Sequence, residues 1–367
     1  MHTVLRPIQL RSAARAATES TRETRATVEV MRAVVYHETG PSSVLQVVER
    51  DLPEPGAGEV RVRLVRSGVN PTDWKFRAGM MAGHDEVVPG QDGAGVVDAV
   101  GPGVSGLAAG DRVWLVLAQH GRPYGTAAEY TVQPAARVVP LPAEASYDLG
   151  ASLGVPAVTA HRALTAGEGG PQRLAPGALE GRVVLVAGGA GAVGHAAIQL
   201  ARWAGATVVA TVSSEEKARL ARAAGAHHVV NYRQPGTADA VLAIAPEGVD
   251  LAVEVAPAEN ITLDLEVVRV HGTVSIYANN GGDTLTMPLR AAFGKNLRFQ
   301  FLILYTLAED LLRAAVEDVA AAVRAGALRV GEDAGLPLHH YPLERTAEAQ
   351  DAVEGGVVGK VLIDLPG

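Results

Sequence analysis

The chain has 367 residues, 48% hydrophobic and 20% charged, a composition that folds and is long enough for two domains. A net charge of −8 argues against a nucleic-acid surface, and the absence of cysteine excludes disulfides and thiolate metal sites while fitting a cytoplasmic protein. No apolar run approaches the roughly 20 residues that span a bilayer, so neither nucleic acid nor membrane is an expected partner.

Residues 1–30 differ in composition from the rest of the chain. Arg6, Arg11, Arg15, Arg22 and Arg25 stand among Ser, Thr and Ala, and no acid precedes Glu19. That composition resembles a transit peptide. The preferred alternative is an extended start ahead of Met31. Either way the arm is set outside the fold and is expected to be mobile.

From Met31 the pattern is that of short strands, predicted over 33–36, 45–48, 60–65, 96–100, 113–117 and 128–132. In the third, Val62 and Leu64 alternate with Arg61 and Arg63. Pro53-Glu54-Pro55-Gly56 and Gly101-Pro102-Gly103 are turns, and Pro140-Leu141-Pro142 breaks the series. Many short strands divided by Gly and Pro point to a small barrel. Helical spacing begins near Tyr147.

Val183-Val184-Leu185-Val186 is wholly apolar, the pattern of a strand buried on both faces. Gly188, Gly191 and Gly194 come next at three-residue spacing. A helical pattern over 196–204, a stop at Gly205 and a second strand over 207–212 complete a βαβ unit. In a chain with 41 glycines the spacing alone decides little; the strand before it and the helix and strand after it give it weight. Glycine lets backbone approach a pyrophosphate, and a helix beginning near Gly191 aims free N–H groups at the anion. The alternative is a tight turn in an ordinary α/β unit.

The second strand ends in Thr211-Val212-Ser213-Ser214, with no acid to hold a ribose 2′-OH. Lys217, Tyr232 and Arg233 add cations and a hydroxyl, which suit a 2′-phosphate and therefore NADPH. Glu215 and Glu216 are placed in the first turn of the next helix, capped by Ser213 or Ser214. A solvated helix lysine is the competing role for Lys217. Helices predicted over 238–245, 261–268 and 311–324 then alternate with strands over 251–255, 273–277 and 297–304, and 357–365 is a terminal strand. There is no repeat with a solenoid period.

Several separated motifs occur in order: Ser67-Gly68-Val69-Asn70-Pro71-Thr72-Asp73, Pro89-Gly90-Gln91-Asp92-Gly93-Ala94-Gly95, Gly110-Asp111-Arg112-Val113, the glycine turn, Asn231-Tyr232-Arg233, and Gly359-Lys360-Val361. From about Met31 onward the chain resembles the zinc-independent medium-chain dehydrogenases/reductases, and among them the NADPH:quinone reductases of the zeta-crystallin group. The resemblance implies an α/β protein. A GroES-like β-barrel catalytic domain would span 31–155, completed by 326–367, and a Rossmann doubly wound parallel-sheet domain would span 156–325. It implies a pyrophosphate turn at Ala190, Gly191, Ala192, Val193 and Gly194, and a 2′-phosphate side at Ser213, Lys217 and Tyr232. It also implies a cofactor contact at Asn260, passage of Tyr277, Ala278, Asn279 and Asn280 near the nicotinamide ribose, and a nicotinamide wall of Phe301, Leu302 and Ile303. Relatives often read Gly-Ser-Arg where this chain has Ala278-Asn279-Asn280. A homodimer through the dinucleotide-binding sheets is the implied assembly.

Zinc-dependent relatives ligate their metal through a Cys and a Gly-His-Glu motif. The corresponding places here hold Asn70 to Asp73 and Gly90-Gln91-Asp92, and His227-His228 and His339-His340 are adjacent pairs that cannot both face one metal. The site is therefore expected to hold no metal. Without a Lewis acid, a quinone or activated enone is the suitable hydride acceptor. Asn70 is the candidate donor to the acceptor oxygen, and Asp73 orients that region or relays a proton. Cap and first-turn residues of a short helix are the alternative for this pair. Lys75 stands where many relatives place a tyrosine. Trp74, Met80 and Met81 either line an apolar cleft or pack in the core. A 2-enoyl-thioester reductase and a non-catalytic NADPH-binding protein of crystallin or sensor type are the alternative functions.

Overall fold

The computed structural model describes residues 29–80 and 83–366, so the arm up to residue 28 and Met81 lie outside the described residues. Glu59–Val69 is the central strand of the first sheet. It pairs antiparallel with Asp92–Val100, with Tyr130–Pro134 and with Lys360–Asp364. Its inward side chains Val60, Val62 and Leu64 are fully buried while Arg61 and Arg63 keep contact with solvent, as the alternation requires. Arg112–Leu115 and Val138–Pro140 extend the sheet on one side, and Leu338–Pro342 pairs parallel with Lys360–Asp364 on the other. A hairpin of Val30–Val35 and Gln46–Asp51 packs its apolar side into the same core.

The second sheet is entirely parallel. Its spatial order is His228–Asn231, Thr207–Val212, Val183–Ala187, Val249–Glu254, Val268–Ile276 and Arg298–Phe301. Strand order reverses between Val183–Ala187 and Val249–Glu254, the doubly wound arrangement in which a crevice opens beyond the strand ends. Helices Gly154–Leu164, Ala192–Trp203, Glu215–Ala223 and Glu309–Arg324 share one core with the sheet, and Thr237–Ile244 and Pro257–Val267 share another.

Several elements depart from their sequence pattern for identifiable reasons. The helix after the glycine turn runs Ala192–Trp203, opening beside Gly191 as expected, although its helical spacing is visible only from residue 196. The strand expected over 297–304 ends at Phe301. Leu302 N–H still bonds Ile276 O at 2.9 Å, and the chain then turns as a 3₁₀ helix over Leu304–Thr306. Leu338–Pro342 reads LHHYP, with no alternation to reveal it; its neighbour Lys360–Asp364 makes it a strand.

Candidate active site

At the crevice, Gly188 takes a left-handed φ of +68°. A Cβ on Gly194 would lie 2.4 Å from Gly188 O, so the helix can start this close to the strand only with glycine there. Gly191 is different. It is exposed, and a Cβ on it would meet nothing nearer than Gly188 O at 3.5 Å. Its open side is where a ligand can approach. The amides of Ala192 and Val193 in the first turn have no intrahelical acceptor and carry the positive end of the helix dipole. Ala190 is buried, so it offers the crevice backbone only.

At the tip of Thr207–Val212, Ser214 Oγ accepts the Lys217 N–H at 3.2 Å. Ser214 is thus the helix cap, and Ser213 is left free of that duty. Tyr232 N–H donates to Val212 O at 3.0 Å, which brings the exposed Tyr232 beside the same tip. Glu215 is paired with Arg222 at 3.0 Å. Ser213, Lys217 and Tyr232, separated in sequence, therefore sit around one strand end.

Asn260 is engaged within the fold. Its Nδ2 donates to both carboxylate oxygens of Glu254, at 3.0 and 3.2 Å. Burial pushes the Glu254 carboxyl up, and burial with the neighbouring Glu254 charge pushes Asp264 well above the usual carboxylate range. Neither oxygen of Asp264 has a hydrogen-bond partner, which fits a protonated acid. Tyr277 N–H and Asn280 N–H tie to Glu254 O and Val255 O, each at 3.1 Å. Tyr277, Ala278 and Asn279 then line a cleft of about 660 Å³ together with Phe301, Leu302 and Ile303. Asn280 does not reach it, and the Asn279 amide is held by Asp283.

On the barrel side, strand register does the assembling. Pairing of Gly68 with Asp92 and of Val69 with Val361 brings the ends of three strands together. Asn70 Nδ2 donates to Asp92 Oδ2 at 2.8 Å, and Asn70 Oδ1 accepts from Lys360 Nζ at 2.7 Å. The ammonium also reaches Val69 O at 3.2 Å and Asp92 Oδ2 at 3.3 Å. The other Asp92 oxygen accepts from Val155 N–H at 2.7 Å, joining barrel to helix. Asp73 Oδ2 accepts from Asn70 N–H at 2.7 Å, while its Oδ1 is buried without a partner. Asn70, Asp73, Asp92 and Lys360 are all no more than 2% exposed. Burial raises the Asp73 carboxyl to about 7. It also raises Asp92 and lowers Lys360, and the attraction between those two opposes both shifts.

The Asn70 amide thus faces this buried cluster, and Asp73 displays the cap role expected as its alternative: it accepts the N–H of Asn70, the residue ahead of the helix Pro71–Lys75. In the sequence Lys360 stands out only as part of a motif. Its ammonium fills the junction between Asn70 and Asp92, so the two oxygens facing each other there already hold a cation. Among the described residues no group of three His, Asp or Glu side chains is placed to hold a metal.

Between the two sheets, Tyr305 O–H donates to Thr72 Oγ1 at 2.8 Å. Its ring lies 5.2 Å from Phe76 and 5.3 Å from His120, centre to centre. Lys75 lies over the Trp74 ring at 5.7 Å, and Met80 is 56% exposed, so Met80 is not a core residue.

Residues 56–143 match the alcohol dehydrogenase GroES-like domain, and residues 192–321 match the zinc-binding dehydrogenase family. A quinone oxidoreductase from Lama guanicoe is 31% identical over 344 residues, covering 92% of this chain and 98% of the relative. A 2-haloacrylate reductase from a Burkholderia species is 33% identical over 260 residues, covering 69% of this chain and 74% of the relative. The solved structure of an NAD-dependent alcohol dehydrogenase superposes with a TM-score of 0.79 at 31% identity, covering 91% of this chain and all of that one. The glycine crevice of a doubly wound sheet, set against a GroES-like barrel, is accordingly that of an oxidoreductase with a nicotinamide cofactor, and the chain belongs to the quinone oxidoreductase family of medium-chain dehydrogenases/reductases.

Proposed function

We propose that this enzyme uses NADPH to reduce a quinone or an activated enone, without a metal. The observation that carries this is the acid-free strand tip, where Ser213, Lys217 and Tyr232 gather at one end of a glycine-lined crevice. When bound, NADPH supplies hydride. The amides of Ala192 and Val193 hold its pyrophosphate. Lys217, with the hydroxyls of Ser213 and Tyr232, holds its 2′-phosphate, which a carboxylate at this position would repel. Phe301, Leu302 and Ile303 give the reacting end an apolar wall that limits water. Asn70, Asp73, Asp92 and Lys360 form a rigid, buried support on the barrel side. The names of the relatives, a quinone oxidoreductase and a 2-haloacrylate reductase, fit acceptors whose double bonds are activated by conjugation.

The test is oxidation of NADPH in the presence of 1,4-benzoquinone, 9,10-phenanthrenequinone and a panel of enones. NADPH is expected to bind at least about tenfold tighter than NADH, the scale of one charge-assisted contact. Lys217→Ala is expected to weaken NADPH and spare NADH; an equal loss for both removes the 2′-phosphate assignment. Tight NADPH binding with no turnover on any acceptor points instead to a non-catalytic role.

A cytoplasmic homodimer is part of the same proposal. Arg298–Phe301 is one of the two edge strands of the parallel sheet, and Leu289 and Phe293 beside it are 55% and 70% exposed. An open edge flanked by apolar side chains suits a second copy. Light scattering on the eluting protein is expected to give twice the chain mass.

A further inference from the structure

Arg162 lies in the last turn of the helix Gly154–Leu164 and lines the same cleft as Phe301, Leu302 and Tyr277. Its Nη1 donates to Thr165 Oγ1 at 2.6 Å, but its Nε is buried and has no partner. Burial lowers its pKa, and Asp310 is the one charged neighbour that opposes the shift, from beyond ion-pair distance. Other arginines drawn out of solvent here are satisfied. Arg77 donates to Gln350 and Gly40 O and pairs with Glu354, and Arg61 pairs with Asp98. Arg137 donates to Leu117 O and His120 O.

Besides Arg162, the polar groups of the cleft are the Asn279 and Gln300 amides, which are engaged, and the hydroxyls of Tyr277 and Thr306. Asn279 is held by Asp283, and Gln300 Nε2 donates to Phe301 O at 2.8 Å. The cleft is therefore open and largely apolar, and the Arg162 guanidinium is the one charged group in its wall. A desolvated cation with spare donors is completed by an anion, and its fork geometry matches a carboxylate.

We propose that Arg162 is an anion anchor and that the acceptor is an α,β-unsaturated acid, its carboxylate on Arg162 and its hydrocarbon part against the apolar wall. The proposal rests on the reductase reading above and names its substrate class. Hydride adds to the β carbon, the π pair moves to the α carbon, and that carbon takes a proton from water. One C=C π bond is lost, two C–H bonds form, and the nicotinamide is oxidised. Arg162 contributes by balancing the carboxylate, whose negative charge otherwise opposes delivery of hydride to the conjugated double bond.

The experiment compares 2-chloropropenoate with its methyl ester, which has the same double bond and no charge. The wild-type enzyme is expected to prefer the acid in kcat/KM by about tenfold or more, and Arg162→Gln to erase that preference. Leu311→Glu, which adds a carboxylate to the same cleft, is expected to penalise the acid more than the ester. Calorimetric titration with 2-chloropropenoate supplies a readout independent of turnover: binding to the wild type, and none to Arg162→Gln. Equal handling of acid and ester, or no calorimetric difference between the two proteins, overturns the proposal. So does a parallel loss of NADPH affinity in Arg162→Gln, which assigns the anion to a cofactor phosphate. If quinones are turned over and the acid is neither bound nor reduced, this inference alone fails. If no acceptor is turned over, the reductase reading fails, and the titration still decides whether Arg162 binds a carboxylate.

Discussion

Lys360→Met tests the buried cluster directly. Methionine keeps most of the lysine stem's volume, so the substitution removes charge and hydrogen bonds more than packing. It leaves the Asp92 carboxylate and Asn70 Oδ1 without a cation in a site no more than 2% exposed, where water cannot replace it. Removing one partner of such a pair costs about 3–5 kcal/mol. Asp92 keeps its bonds from Val155 N–H and Asn70 Nδ2, which places the expected cost toward the lower end of that range. Adding Asp92→Asn removes the stranded charge. The double variant is then expected to be more stable than the sum of the single changes predicts, by about 1–3 kcal/mol. Urea unfolding followed by tryptophan fluorescence reads the loss, because Trp114 is fully buried in the first sheet and Trp203 ends a helix packed on the second. A loss below about 1 kcal/mol in Lys360→Met, or strict additivity in the double variant, would refute the argument that this ion pair holds Asn70 in place.

The glycine turn separates two effects. Gly194→Ala places a Cβ 2.4 Å from Gly188 O and is expected to lower the melting temperature and NADPH affinity together; an unchanged melting temperature counts against the steric argument. Gly191→Val is expected to leave the fold intact and abolish NADPH binding, because only the ligand side of Gly191 is open; calorimetry and circular dichroism on the same sample check both halves. His195 is buried, its Nε2 lies 2.9 Å from Ala334 O, and burial lowers its pKa from 6.5 to about 4. Above pH 6.5 the imidazole is neutral in both states and its contribution is complete. As pH falls from 6.5 to about 4 the unfolded chain gains a proton that the folded one refuses, and roughly 3 kcal/mol of stability is lost. Denaturant midpoints at pH 7.5 and 5 are therefore expected to differ more for the wild type than for His195→Asn, and identical differences would show that this histidine does not couple to folding.

Local pattern already carried much of the function. Val183 to Val186, the three glycines and the apolar run over 207–212 lie within one βαβ unit, and each is recognisable from its near neighbours. The missing acid at Ser213 is a statement about a single strand end, so it too could be read without a fold. The small barrel followed from alternation in strands such as Glu59–Val69, where each residue's face is set by its own parity. Which of Ser213 and Ser214 caps the next helix depends on backbone direction over a few residues, and only the structure selects Ser214.

What the tertiary structure alone decided are meetings between distant positions. Lys360 finds Asn70 across 290 positions of sequence, and Tyr305 finds Thr72 across 233. Asn260 is only 6 positions from Glu254, yet its amide turns to it because burial leaves that carboxylate in need of donors. Arg162 reads in sequence as one helix arginine among others, and becomes an unmatched charge only when the end of another strand closes a cleft around it. Side-chain periodicity records which face of an element is wet and which is dry. It holds no information on which element will be its neighbour, since that depends on strand register and on the cost of leaving a desolvated polar group unpaired.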